Sequence, residues 1–187
     1  MTRMNALKSA LALLPVAGVL ALPPAAAAAC RTGSASAAPA PAPVDSLQSG
    51  IALFQQGQYA QAEAALREAS GPEASAYLAA SLAKQKKYAE AEAPARAALE
   101  ANPLHEVATA ALGESLVGQR KFDEAIEKMS DVIKKKPEFP YAYFWRGQAY
   151  YGKKRSDRMV EDFQTFLKLA PKSPEAPIVR QLLSSLG

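Results

Sequence analysis

The 187-residue chain has one cysteine, one histidine and one tryptophan, and each scarcity removes a class of chemistry. A lone cysteine cannot close an internal disulfide, and one histidine with one cysteine cannot supply a Cys/His metal set. A histidine-based triad would need His105 beside a nucleophile, yet a single histidine at a helix start reads as a solvated surface residue. No glycine-rich phosphate loop occurs anywhere in the sequence. The apolar stretch Ala10–Leu22 is 13 residues long, short of the ~20 needed to span a bilayer. Once the first 29 residues are set aside, 20 basic residues face 18 acidic ones, too even a balance for a nucleic-acid surface. The acidic pairs Glu90/Glu92 and Asp123/Glu124 fall in first turns of helices, where they complement the dipole rather than form a catalytic pair. The expectation is therefore a chain with no catalysis, cofactor, metal or nucleic-acid partner.

What is present begins with a front end of distinct composition. Arg3 and Lys8 make a basic start, Ala10–Leu22 follows, and Pro23-Pro24 leads into Ala25–Ala29. That order is the order of a secretory signal, which assigns residues 1–29 to export. Cys30 stands directly after the alanines, and an unpaired thiol in an exported protein asks for a role. The run Ala27-Ala28-Ala29-Cys30 resembles a bacterial lipobox, which implies cleavage before Cys30 and a diacylglycerol thioether on its sulfur. Ala27 stands where that family usually carries leucine, and the alternative is an ordinary signal-peptidase site that releases a soluble periplasmic protein. Residues 30–44, rich in Ala, Pro and Ser, lack apolar periodicity and read as a stiff, extended linker. The sixteen residues from Arg31 to Ser46, at ~3 Å each, would hold a domain up to roughly 50 Å from its anchor. By the sorting rule of enterobacteria, Arg31 rather than aspartate after the cysteine implies the outer membrane.

The remainder, 45–187, is a repeat. Small residues recur at Gly50, Ala79, Gly113 and Gly147, in steps of 29, 34 and 34 residues. Twelve residues after each stands Ala62, Ala91, Ala125 or Met159, and nineteen after each stands Ala69, Ala98, Val132 or Phe166. A fixed period of this length is the mark of stacked helical hairpins, each too small to bury its own apolar face. In the third copy Leu112, Leu116 and Val117 keep helical spacing, Gly118 breaks it, and Phe122, Ile126, Met129 and Ile133 resume it up to Pro137. Gly113 and Ala125 are read as the point where the two helices of one hairpin cross. These offsets, with closing prolines at Pro103, Pro137 and Pro171, resemble the tetratricopeptide repeat. The resemblance implies an all-α, right-handed superhelix of four hairpins, at about 43–72, 73–105, 106–139 and 140–172, closed by a capping helix over 174–186.

Several positions depart from the pattern. Repeat one is five residues short, so its second helix should end early. Pro94 lies inside the second helix of repeat two and should bend or weaken it. Met159 and Phe166 replace small residues in repeat four, so that hairpin should be splayed or packed differently. Ser173 and Pro174 suit a helix cap and first turn, and Ile178, Val179, Leu182, Leu183 and Leu186 give the last helix one apolar stripe. That stripe either covers the open end of the stack or docks another protein.

In the family, first helices line the concave side. Carried over by offset, the lining is Ala76, Ala80 and Lys84 from repeat two, Ala110, Glu114 and Val117 from repeat three, and Tyr141, Phe144, Gln148 and Tyr151 from repeat four. Lys84, Glu114, Tyr141, Phe144, Gln148 and Tyr151 are thus the candidate partner-binding residues. For Phe144 and Tyr151, binding and packing are both open. The clamp with which chaperone-binding relatives grip a C-terminal carboxylate is replaced by Leu47, Ile51, Ala76 and Ala80. Lys134–Lys136 and Lys153–Arg155 read as helix-end and turn charges. The resulting expectation is a non-enzymatic scaffold, tethered to the membrane through Cys30 at the periplasmic face, that holds a protein or peptide of the cell envelope. The alternative is a soluble periplasmic accessory or substrate-binding module.

Overall fold

The structure, a computed structural model, describes residues 46–185. Its helices are α1 (Ser46–Gln55), α2 (Tyr59–Glu68), α3 (Pro72–Lys84), α4 (Tyr88–Ala101), α5 (Glu106–Gly118), α6 (Phe122–Lys135), α7 (Pro140–Gly152), α8 (Ser156–Leu169) and α9 (Ala176–Ser184). No strand occurs among the described residues. Odd and even helices pair as four hairpins, and each first helix also packs on the first helix of the next repeat: α1 on α3, α3 on α5, α5 on α7. The all-α stack of four hairpins with a closing helix is therefore the observed architecture.

Each hairpin turns in the same way. Lys86 N–H donates to the Ala83 carbonyl and Lys87 N–H to that of Leu82, a paired closure that needs a left-handed residue after the helix. The same pair recurs at Gly57/Gln58, Arg120/Lys121 and Lys154/Arg155. Glycine takes the left-handed position in repeat one, with φ 76°, whereas Lys86, Arg120 and Lys154 take it elsewhere at 63°, 62° and 61°. Two of these turns also rest on a ring of the preceding repeat. A Cβ added at Gly118 would lie 2.5 Å from the ring of Tyr88, and one at Gly152 would run into Phe122.

Packing changes character along the stack. In repeat two, Ala76, Ala79, Ala80, Ala83, Ala91, Ala95 and Ala98 are all buried, so backbones approach closely with little side chain between them. Repeat four is filled by Phe144, Met159, Phe163 and Phe166 instead. It is not splayed, because Gly147 gives up its volume to Phe163, whose ring would lie 2.8 Å from a Cβ there. Phe166 stacks near Phe144 and Tyr141 at 5.1 and 6.0 Å. Across this hairpin Arg146 donates two bonds to Asp162, at 2.7 and 2.9 Å, and one to Ser130 Oγ. Burial pushes the Asp162 carboxyl up, and the guanidinium opposes that rise.

Some expectations need correction. Gly113 does not mark the crossing within its own hairpin: a Cβ there would lie 2.7 Å from Trp145, on the first helix of the next repeat. α4 continues through Pro94 and has 14 residues, like α6 and α8. Glu90, whose carbonyl gets no helical bond from the proline nitrogen, is exposed. Ser173 and Pro174 do not begin the last helix, since α9 starts at Ala176 with Pro177 in its first turn. Within its stripe Val179 and Leu182 are buried on α8, while Ile178 is 50% exposed. The early end of α2, at Glu68, matches the shortened first repeat.

His105 is also not a solvated residue. It caps α5, its Nδ1 accepting the Ala108 N–H at 3.4 Å, and its Nε2 lies 2.9 Å from the Glu73 carboxylate. The lone histidine thus ties repeat two to repeat three.

Candidate concave binding groove

Stacking the first helices side by side leaves a groove along them. A cavity of about 320 Å³ is lined by Phe54 of α1, Ala80 and Lys84 of α3, Val107, Ala110 and Glu114 of α5, and Tyr141 and Trp145 of α7. All four repeats thus contribute to one surface. The groove exists because its middle is built from Ala80, Ala110 and Ala111, whose side chains do not fill the space between helices. Its walls are the larger Phe54, Val107, Phe139 and Trp145.

Fixed polar groups stand at its margins. Lys84 Nζ donates to Glu114 Oε2 at 2.9 Å, joining repeats two and three. Lys136 bonds Glu106 at the other side of α5. At the C-terminal end the Tyr141 hydroxyl donates to Glu175 at 3.0 Å. Burial, then the Glu175 charge and the hydrogen bond to it, push that hydroxyl up to about 12. Tyr141 stays a neutral donor at physiological pH, and Glu175, just before α9, closes the end of the groove. An apolar floor with a few oriented polar groups at its rim is suited to holding a side chain or a short segment, and offers no nucleophile–base pair.

Of the residues expected from the sequence, Lys84, Glu114 and Tyr141 come together on this groove. Phe144 is only 7% exposed, turned inward against Trp145, Phe163 and Phe166 at 4.8, 6.1 and 5.1 Å. Gln148 and Tyr151 are half-buried on α7 and do not line the cavity. Phe54, Val107, Phe139, Trp145 and Glu175 do line it and escaped the sequence reading. Trp145 had a signal, as the chain's sole tryptophan one residue beyond an expected lining position. Cys30 and residues 1–45 lie outside the described residues.

Comparison with known proteins places this geometry in context. The tetratricopeptide repeat family model matches residues 47–106 and 110–174. A thermophilic repeat protein of Thermus thermophilus superposes with a TM-score of 0.66 at 20% identity, over 78% of this chain and 84% of that one. YrrB, described as a repeat protein with an unusual peptide-binding site, gives 0.62 at 18% identity over 75% of each chain. A crystal structure of MamA gives 0.59 at 25% identity, over 70% of this chain and 74% of that one. No curated protein matches the chain.

Proposed function

The chain belongs to the tetratricopeptide repeat family, and from that premise we propose that it is a non-enzymatic scaffold whose concave groove holds a segment of a partner protein. The observation that carries this reading is the shared lining: one apolar trough receives side chains from every repeat and is rimmed by the Lys84–Glu114 and Tyr141–Glu175 pairs. Peptide binding in YrrB, as its description states, supports such a use of the fold. Rigid aromatics such as Trp145 with polar neighbours are effective anchors for an extended segment.

The location completes the proposal. Residues 1–29 act as the export signal, Cys30 carries the lipid, and residues 30–44 tether the repeat domain at the periplasmic face of the outer membrane. There the scaffold assists assembly of an envelope complex. A soluble periplasmic accessory is the second reading, favoured by Ala27 in the position where a lipobox carries leucine.

Two experiments test the parts separately. Peptides selected from a random library on the full chain are expected to lose binding to the Ala110→Arg variant, which fills the trough; retention of every selected peptide would exclude the groove. Radioactive palmitate is expected to label the wild type and not Cys30→Ser, and equal labelling would remove the lipid anchor.

A further inference from the structure

The hairpin turns form one edge of the stack, where first helices end and second helices begin, and that edge carries an unexplained row of cations. Lys86, Arg120 and Lys154 sit at the tips of three successive turns, each with positive φ. A residue with a Cβ is strained there and glycine is not, as Gly57 shows in the same closure of repeat one. Lysine or arginine therefore occupies three positions where backbone economy favours glycine.

Local electrostatics do not account for the choice. The negative end of one helix and the positive end of the next meet at each tip, so their dipole contributions oppose. Neighbouring cations are engaged: Lys87 with Glu63, Lys121 with Glu92, Lys153 with Asp123. Lys86, Arg120, Lys154 and Arg155 have no acidic partner among the described residues. The acids nearby are mostly taken, Glu90 by Arg67 and Glu124 by Arg96, and Asp157 lies among Lys154, Arg155 and Arg158. Of the other unpaired cations, Lys135 and Lys168 fall in the last turns of α6 and α8, where the dipole favours them, and Lys172 follows α8 and belongs to none of these turns.

We propose that this turn edge, through Lys86, Arg120, Lys154 and Arg155, rests on an anionic lipid surface. The tips are exposed, and neighbouring helices pack 8–10 Å apart, so the row extends about 20 Å across three repeats. Lys86, Arg120 and Lys154 stand on three successive turns rather than around one point, and of the row only Lys154 and Arg155 share a hollow, with Asp157 and Arg158. A diffuse sheet of negative charge is the partner that fits side chains arrayed on an edge, each adding independently to the attraction. The tips are also held in register, since Tyr88 and Phe122 wedge against Gly118 and Gly152. The inference rests on the reading of a domain tethered at a membrane, and it orients that domain, leaving the concave groove free for its partner.

The test uses the full chain carrying Cys30→Ser, mixed with vesicles of phosphatidylcholine alone or with 30 mol% phosphatidylglycerol. The neutral vesicles report whatever the apolar front end contributes. The expected result is stronger partition onto the anionic vesicles, lost at 0.5 M salt. The triple variant Lys86→Gly, Arg120→Gly, Lys154→Gly should bind roughly a hundredfold more weakly, about fivefold per cation. Its melting temperature should be unchanged or raised, because glycine relieves the left-handed strain, so misfolding cannot mimic the loss. Equal partition of the triple variant and its parent would overturn the proposal. So would binding to polyglutamate or single-stranded DNA that depends on the same three residues while anionic vesicles are ignored. Palmitate labelling is read independently, so failure of the anchor and failure of this edge are distinguishable.

Discussion

Repeats two and four build the same hairpin from opposite materials. In repeat two, eight buried alanines bring α3 and α4 close, and the outer edges are joined by ion relays. Glu63 takes Lys87, Arg67 and Gln85, and Glu92 takes Lys121, Arg96 and Gln119. In repeat four three phenylalanines and a methionine fill the interior, Ile126 of the preceding repeat stands at the offset that Glu63 and Glu92 hold earlier, and the hairpin is held by the enclosed Arg146–Asp162 pair. Alanine packing fixes distance and contributes little area per residue, whereas each buried ring removes about 150–250 Å² from water. The two ends should therefore fail in different ways.

The largest expected effect is in the aromatic half. Phe163→Ala should cost about 4 kcal/mol, measured by urea unfolding, against ~1 kcal/mol for Ala95→Gly; comparable losses would erase the distinction. Asp162→Ala should cost about 3 kcal/mol, because Arg146 is left without its carboxylate, and a melt within about 2 °C of wild type would contradict that. Next comes Gly113→Leu, at about 2 kcal/mol by overpacking against Trp145. A shift in tryptophan fluorescence should accompany it, since the contact runs to the next repeat.

The alanine half should respond to acid. The bonds from Lys87 and Arg67 hold Glu63 down at about 2, and those from Lys121, Gln119 and Arg96 do the same for Glu92. A carboxylate with a lowered folded value contributes stability above its unfolded value of 4.5 and loses it as pH falls toward 2. Glu63→Gln with Glu92→Gln should flatten that part of the pH–stability curve and cost about 1 kcal/mol per site at pH 7, after screening at the half-exposed cations. An unchanged slope between pH 4.5 and 2 would show that the relays are ornamental. The smallest effect on stability belongs to Ala110→Arg, which should abolish peptide capture and leave the melt within about 1 °C.

How far the sequence revealed this depends on which question is asked. The 34-residue spacing of small residues and prolines identified the stack, because close helix approach demands small side chains at fixed offsets. It did not reveal which helix each small residue meets: Gly113 receives Trp145 from the next repeat, a neighbour that linear spacing cannot distinguish from one within the hairpin. Lys84, Glu114 and Tyr141 were legible through offsets along first helices. Phe144 was not, since a small rotation of α7 decides between groove and core, and the phenylalanines of α8 drew it inward. Glu175 lay outside any repeat offset, and the bond from Tyr141 became visible only in three dimensions.

The most direct test of a partner-holding groove is site-specific photocrosslinking in cells. A benzophenone amino acid at Ala110, on the groove floor, should give a discrete protein adduct that the same probe at exposed Ala97 of α4 does not give. An adduct at Ala97 with none at Ala110 would contradict the account.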